Sequence, residues 1–291
     1  GMISVVIGAI ANIVLDPLFI FMLDFGIRGA AIATVLSQCL SAGFVLYFLS
    51  KKAEYKVHLL YKEEIRTCGK DAKNIVSLGT AGFVMQLTNS LVSICCNNVL
   101  SATGGDVYVS VMTIISSVRQ MIETPIWSIS EGSSPVISYN YGAKRPKKVI
   151  EAWITMSVLA LIYSLIAWSV ILFAPKFLIG IFSSDKSLMI DTVPAIKLYF
   201  SAFIFMLFQY TGQTMFKSLN KKKQAIFFSI LRKVIIVVPM TYMFPYVFHM
   251  GSNGVFMAEP VSNVIGGSLC FIVMLLTVLP ELKQMNSDLS S

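Results

Sequence analysis

The sequence predicts an all-α polytopic membrane protein with about eight transmembrane helices. Apolar residues make up 56% of the 291 residues and charged residues only 13%, about half the charged share of a typical soluble domain. Several apolar runs are near 20 residues long, which is enough to cross about 30 Å of hydrocarbon as helix. Lysine and arginine are concentrated between alternate runs, as expected for loops on the cytoplasmic side.

Eight apolar runs are separated by clusters of glycine, proline and charged residues, which favour turns. Because each run is long enough to span a bilayer, we assign each to one transmembrane helix. The predicted spans are 3–23, 29–50, 74–100, 107–139, 149–182, 190–216, 224–249 and 254–280.

The distribution of the 23 lysines and arginines predicts the orientation. Sixteen lie on one side, in alternate loops and after the last span, whereas three lie on the other side. The positive-inside rule therefore places both the first residue and the C-terminus in the cytoplasm, in a bacterial inner cell membrane. The same loops account for the net charge of +8, so the expected partner is the lipid bilayer and not a nucleic acid. The remaining four cations fall inside helices: Arg119, Lys197, Arg232 and Lys233.

Enzymatic motifs are absent from the sequence. The five cysteines form no CxxC or Cys/His pattern, so no metal site is expected. There is no nucleophile elbow and no HExxH motif, and both histidines lie near span ends. The sequence therefore predicts neither an enzyme nor a bound cofactor.

Two segments repeat each other at an offset of 225 residues, 26–38 and 251–263. Each opens a helix on the same predicted side of the membrane, which indicates a parallel internal repeat, a common transporter arrangement. The second unit contains six predicted helices and the first only two. We therefore expect four further helices, roughly 150 residues, before residue 1 in the complete protein. The identical pairs are Gly26 and Gly251, Gly29 and Gly254, Ala33 and Ala258, and Ser37 and Ser262.

The repeat predicts the domain organisation of a two-lobe transporter with six helices in each lobe. Residues 1–50 form the last two helices of the N-lobe, and 74–283 form the six-helix C-lobe. Residues 51–73 are a cytoplasmic linker, either an amphipathic helix on the inner leaflet or a simple connector. Residues 284–291 form a cytoplasmic tail.

A polar cluster is predicted around Asp16, in the middle of the first span. A charged carboxylate there costs about 2.5–3.5 kcal/mol, so it requires a proton, a partner or a cavity. Asn12 lies one turn earlier on the same face. The hairpin turns near residue 25, which places Thr34 level with Asp16 and Gln38 level with Asn12. These four residues are candidates for binding H⁺ or Na⁺; the alternative is a hydrogen-bonded clamp between two helices.

The matching position in the second unit carries a second acidic candidate. Glu259 replaces Thr34 in the repeat, while Thr241 replaces Asp16. Glu259 is either a second polar site or an acid beside a wet vestibule. In the fourth span, Arg119 and Glu123 are four residues apart and are expected to neutralise each other.

Other polar residues of the third and fourth spans are candidates for lining a cavity. They are Glu131, Gln86 and Asn89. Four aromatic residues either contact a flat or cationic substrate through their rings or simply pack among helices: Tyr199, Phe203, Phe208 and Tyr210.

Three segments of the chain, 12–20, 26–34 and 135–144, resemble the multidrug and toxic compound extrusion (MATE) family. The first two, which contain the Asn12-Ile-Val-Leu-Asp16-Pro17 sequence, resemble that family's fifth and sixth helices. The third resembles the end of its eighth helix and the following loop. The resemblance covers essentially the whole chain, as helices five to twelve of twelve.

This resemblance implies a secondary antiporter that exchanges H⁺ or Na⁺ for small organic, often cationic, drugs by alternating access. The resemblance to the bacterial DinF-like branch assigns Asn12, Asp16 and Thr34 to the N-lobe cation site. The site's other aspartate belongs to the first helix of the family, which this chain lacks. The acid that some branches carry on helix seven is replaced by Gln86 and Asn89, which favours a proton over Na⁺.

Two other functions remain open from the sequence. A lipid-linked oligosaccharide flippase of a related fold would need more cations in its cavity than the four within the helices. A structural or regulatory membrane subunit would be unaffected by neutralising Asp16.

Overall fold

The computed structural model describes residues 2–52 and 69–288, and within them it contains helices and no strands. Six helices in this part are long and apolar enough to cross a membrane, or seven if one bent pair counts as a single span. The protein is therefore an all-α polytopic membrane protein, as predicted. The chain divides into two compact units, Gly1–Asn74 and Ile75–Ser291. Most of the predicted linker, 53–68, lies outside the described residues.

The first unit is an antiparallel hairpin of two helices. Helix α1 spans Met2–Pro17 and continues as a π-helical turn over Leu18–Met22, and α2 spans Gly26–Lys51. The π-helical turn follows Pro17, which cannot donate the regular backbone hydrogen bond. The two helices approach closely where small residues meet: the Ser41 hydroxyl donates to the Ser4 carbonyl at 2.7 Å.

Helix α3 spans Gly69–Gly142 and is interrupted at Gly105, whose φ of 69° is not helical. Its apolar part, Gln86–Gly142, is 57 residues long. A continuous helix of that length would measure about 85 Å, far more than the thickness of a bilayer. The break therefore divides α3 into two arms, which correspond to the separate spans predicted at 74–100 and 107–139.

Two further predicted spans each consist of two helices. The run 149–182 contains α4 and α5, which separate at Ala174 because Pro175 begins a new helix. The run 190–216 contains α6 and α7, which are bent by 50°. Trp168 Nε1 donates to the Phe200 carbonyl at this bend at 3.0 Å. The bounds are α4 Pro146–Phe173, α5 Pro175–Phe182, α6 Lys186–Tyr199 and α7 Phe203–Ser218.

The last two helices each contain a π-helical segment, a feature frequently found at functional sites. Helix α8 consists of Lys222–Ile230, the π-helical Leu231–Val237, and Val238–Tyr246. Helix α9 consists of Ser252–Ser262, the π-helical Asn263–Gly267, and Ser268–Asp288. Helix α9 thus includes the first five residues of the predicted tail at 284–291. The sequence did not reveal this because polar residues also suit the last turns of a helix in water.

The two repeated hairpins have the same local geometry. A Cβ on Gly29 would lie 2.6 Å from the Phe19 carbonyl oxygen, and one on Gly254 would lie 2.8 Å from the Phe244 carbonyl carbon. The turns close with equivalent backbone bonds: Phe25 N donates to the Phe19 carbonyl and Met250 N to the Phe244 carbonyl, both at 3.1 Å. Every pair of equivalent residues differs by 225, so the internal repeat is confirmed at the level of these hairpins.

Candidate binding cavity and cation site

A cavity of about 660 Å³ lies within the second unit. This volume falls within the range of about 300–1,000 Å³ that is usual for small-molecule sites. Residues of α3, α6, α7, α8 and α9 line it. All four of the predicted cavity residues are among them, Gln86, Asn89, Glu131 and Glu259.

Glu259 is at the centre of a buried cluster of charges. Its side chain is only 6% exposed. One of its oxygens, Oε1, contacts three cations: Arg119 Nη2 at 3.1 Å, Arg232 Nη1 at 3.0 Å and Lys233 Nζ at 3.3 Å. Glu259 therefore lines the cavity and is paired with three cations.

Arg119 connects this carboxylate to a second one. It pairs with Glu123 one turn later, as the sequence predicted, and its Nη1 also donates to the Tyr199 hydroxyl at 2.6 Å. The Tyr210 hydroxyl donates to Glu123 Oε2 at 3.2 Å. Since a partly buried carboxylate requires such partners, these bonds offset the cost of placing Glu123 between the helices.

Arg232 and Lys233 reach the cluster from the π-helical segment of α8. Consecutive residues of a regular α-helix diverge by about 100°; the wider π-helical turn reduces this angle, so both side chains reach Glu259. Arg232 Nη1 also donates to Asn263 Oδ1 at 2.7 Å. Asn263 is the repeat equivalent of Gln38, so the second hairpin uses this position for a charged cluster.

The exposed part of the cavity contains a separate ion pair. Lys217 Nζ lies 2.9 Å from Glu131 Oε1, and the two side chains are 37% and 39% exposed. An exposed pair of this kind contributes at most about 1 kcal/mol to stability.

Two of the four predicted aromatic residues line the cavity, Tyr199 and Tyr210. Phe203 is instead buried in the apolar core, and Phe208 packs against Phe271 with ring centroids 4.8 Å apart. Of the two alternatives for these aromatic residues, packing among helices therefore applies to Phe203 and Phe208. Helix α7 lines the cavity with Gln209, Tyr210, Gln213, Thr214 and Lys217, and neither Phe203 nor Phe208 is among the lining residues.

In the first unit, the structure joins two of the four residues predicted around Asp16. Asn12 Nδ2 donates to Asp16 Oδ1 at 3.3 Å, and both side chains are half-buried. Thr34 instead donates to the Ala30 carbonyl of its own helix at 2.9 Å, as threonines within helices often do. Thr34 and Gln38 are both exposed, one position beyond the buried residues Ala33 and Ser37. Equal depth in the hairpin therefore does not bring them into contact with Asp16 within the described first unit.

The family model for MatE matches residues 82–243, which is more than half of the chain. The chain belongs to the MatE family. Multidrug export protein MepA of Staphylococcus saprophyticus is 26% identical over 284 residues, covering 96% of the chain and 59% of MepA. MepA of Staphylococcus aureus strain NCTC 8325 is 26% identical over 272 residues, covering 92% and 57%.

Solved structures share the fold of this MatE chain. A MOP superfamily transporter from Pyrococcus furiosus, whose binding pocket has a reverse polarity that suggests a different function, has a TM-score of 0.86 at 24% identity. That match covers 98% of this chain and 63% of the other. A MATE transporter in the bent conformation has a TM-score of 0.82 at 23% identity, covering 100% and 63%. The chain thus spans about three fifths of the relatives that it matches.

Sequence reasoning identified Arg232 and Lys233 as cations within a helix but did not assign them to the site. Their depth explains this omission, because hairpin geometry places Arg232 level with Ser268, more than two turns from Glu259. In the structure Arg232 packs two residues nearer, since a Cβ on Gly266 would touch the Arg232 side chain. Arg232 then extends along α9 to Asn263 and Glu259. The cost of a cation at mid-membrane was the signal that pointed to a partner.

Proposed function

We propose that the protein containing this MatE chain exports small organic compounds across the cell membrane by alternating access, in exchange for H⁺ or Na⁺. The observation that carries the proposal is a cavity of drug-binding size within a chain of this family. The matched relatives are named multidrug export proteins, and we extend that activity to this chain. The proposed topology has a cytoplasmic C-terminus, since the excess of lysine and arginine lies on that side.

The cavity combines features that suit varied organic ligands. Trp127, Tyr210 and Met112 provide aromatic and flexible apolar surface, while Gln86 and Asn89 provide amide groups. Most of the other lining residues are polar or charged, so the cavity also offers many hydrogen-bonding groups. Methionine adapts its shape readily to different ligands.

Asp16 is the best candidate for binding the coupling ion. Its carboxylate accepts a bond from Asn12, and no lysine or arginine pairs with it among residues 2–52 and 69–288. An acid within a membrane span that lacks a cationic partner can bind a proton or Na⁺ from solution. Glu259 suits this role less well, because three cations already neutralise it. Thr34 and Gln38 remain proposed members of the site that an ion would draw together.

The test uses the full-length gene product in vesicles, with a dye whose export is driven by an imposed gradient of H⁺ or of Na⁺. Asp16→Asn is expected to lower gradient-driven export at least about tenfold, the factor that corresponds to 1.4 kcal/mol. Asp24→Asn is the matched control, since Asp24 is an exposed aspartate in the turn after α1. Unchanged export in Asp16→Asn would refute the coupling role. The gradient that drives export identifies the ion.

One observation favours a second candidate, a lipid-linked oligosaccharide flippase. Three of the four cations inside the helices, Arg119, Arg232 and Lys233, gather at the cavity, where a flippase would need them to bind a lipid phosphate. Vesicles containing a fluorescent polyprenyl-phosphate lipid distinguish the two functions. Export of the dye without movement of the lipid supports the exporter, and the reverse result supports the flippase.

A further inference from the structure

We propose that the cavity recognises an anionic group, a carboxylate or a phosphate, on its substrate, through Arg232 and Lys233 with the support of Arg119. This inference rests on the transport function proposed above and names the chemical class of the substrate. It departs from the organic cations that the family resemblance implies. Four observations of the second unit support it.

The first observation is the balance of charge. Among the described residues, the cluster contains three cations, Arg119, Arg232 and Lys233, and two carboxylates, Glu123 and Glu259. The ion pair between Lys217 and Glu131 is neutral. By formal charge, the described residues of the cavity thus carry one positive charge in excess, and an unpaired buried charge is costly. A ligand with one negative charge balances it.

The second observation is that, among the described residues that line the cavity, no carboxylate remains for an organic cation. Glu259 is shared by three cations, Glu123 accepts bonds from Arg119 and Tyr210, and Glu131 pairs with Lys217. A cationic drug would have to displace a side chain already paired there. It would also lie close to Arg232 and Lys233, and like charges at such distances repel each other.

The third observation is unused hydrogen-bonding capacity. Arg232 makes both of its side-chain hydrogen bonds through Nη1, and within the described chain Nε and Nη2 have no protein partner. Lys233 makes one bond, at 3.3 Å, although an ammonium group has three donors. Both side chains line the cavity. A planar guanidinium beside an ammonium suits the two oxygens of a carboxylate or phosphate.

The fourth observation is the position of this group of donors. Val237 and Val255 line the same cavity as Arg232 and Lys233, and Trp127 provides a half-exposed aromatic surface. An anionic headgroup at the cations would leave the rest of a ligand against apolar and aromatic walls. The expected substrate is therefore an amphiphile with one anionic end.

A binding assay on the purified 291-residue chain in detergent tests this inference without requiring transport. Fluorescein, which carries a carboxylate, and rhodamine 123, a cation on the same ring frame, are compared by fluorescence anisotropy. We expect fluorescein to bind at least about tenfold more tightly, a difference of 1.4 kcal/mol, and its affinity to fall as salt rises. Equal or tighter binding of rhodamine 123 would overturn the proposal.

Substitutions locate the site. Arg232→Gln and Lys233→Gln are each expected to weaken fluorescein binding about tenfold, whereas Lys233→Arg keeps the charge and most of the affinity. Lys148→Gln, an exposed change outside the cavity, is the control and should leave affinity unchanged. Glu259→Gln removes the competing carboxylate and should tighten binding several-fold. This gain cannot arise from misfolding. The site would be refuted if Glu259→Gln brought no gain and if Arg232→Gln and Lys233→Gln both left the affinity for fluorescein unchanged.

Competition identifies the source of the anionic group. Displacement of fluorescein by farnesyl phosphate but not by farnesol supports a lipid phosphate headgroup, and displacement by benzoate alone supports a soluble carboxylate. Either result supports an anion site, whereas equal displacement by farnesol and farnesyl phosphate contradicts it. Anion binding without gradient-driven export would refute the exporter and leave this inference standing.

Discussion

Replacing Glu259 with glutamine is the most informative single change in this chain. The substitution keeps the shape and an acceptor oxygen but removes the charge that Arg119, Arg232 and Lys233 share. Their nitrogens lie 3.0–3.3 Å from Oε1, and each such contact is worth about 5 kcal/mol of Coulomb energy at an effective dielectric constant of 20.

The net effect is smaller than the sum of these contacts. Burying the four charged groups costs several kcal/mol per ion, and breaking a buried pair typically lowers the free energy of unfolding by about 3–5 kcal/mol. We therefore expect a loss of about 3 kcal/mol, or a thermal midpoint about 6–12 °C lower.

The assay is thermal unfolding of the purified chain, followed by intrinsic tryptophan fluorescence. Glu131→Gln is the matched control, because Glu131 lines the same cavity and also pairs with a lysine, but is 39% exposed instead of 6%. It should cost less than about 1 kcal/mol. Equal midpoint shifts for Glu131→Gln and Glu259→Gln would refute the argument.

A double variant checks the cause of the loss. Lys233→Gln is expected to destabilise the wild-type chain, because it removes a partner of Glu259. In the Glu259→Gln background it should instead raise the thermal midpoint, since it removes an uncompensated cation. Additive losses would show that the two residues act independently, contrary to the geometry of the cluster.

Two other predictions concern the helices around the cluster. Gly254→Ala should lower the thermal midpoint by several degrees because its Cβ would lie 2.8 Å from the backbone at Phe244, whereas Gly180→Ala meets nothing within 4 Å and should be neutral or stabilising; equal effects would contradict this. Asp185 caps α6, and its bonds from the Ser187 side chain and backbone lower its pKa. Its stabilisation is therefore present above the ordinary carboxyl pKa and is lost as pH falls through the lowered value. Asp185→Ala should melt earlier than wild type at pH 7, and this difference should shrink as pH falls below the ordinary carboxyl pKa of about 4; a difference that does not change with pH would exclude the carboxylate as the cause.

The sequence predicted the features that depend on residue type and on spacing along the chain. Apolar runs identified the transmembrane character, because only a helix satisfies its own backbone in lipid. The 225-residue repeat predicted equivalent hairpins, and the close approaches at Gly29 and Gly254 confirm them. The four-residue spacing of Arg119 and Glu123 predicted their ion pair, because such neighbours meet on any helix.

The predicted depth of a residue in the membrane did not by itself determine which side chains it contacts. Thr34 is level with Asp16 but lies on another face of α2 and bonds to its own helix. Such outcomes depend on the rotation of each helix about its axis, and an apolar helix carries little sequence signal for that rotation.

By itself, the sequence determined the membrane-embedded helices, the repeated hairpins and the presence of charges that require partners. Only the tertiary structure decided that Glu259 pairs with Arg119, Arg232 and Lys233, which lie 140, 27 and 26 residues away along the chain. The physical reason is that a buried charge must be compensated, while long side chains and π-helical turns allow the compensating charge to come from several helices. The excess of one positive charge in the cavity follows from that packing.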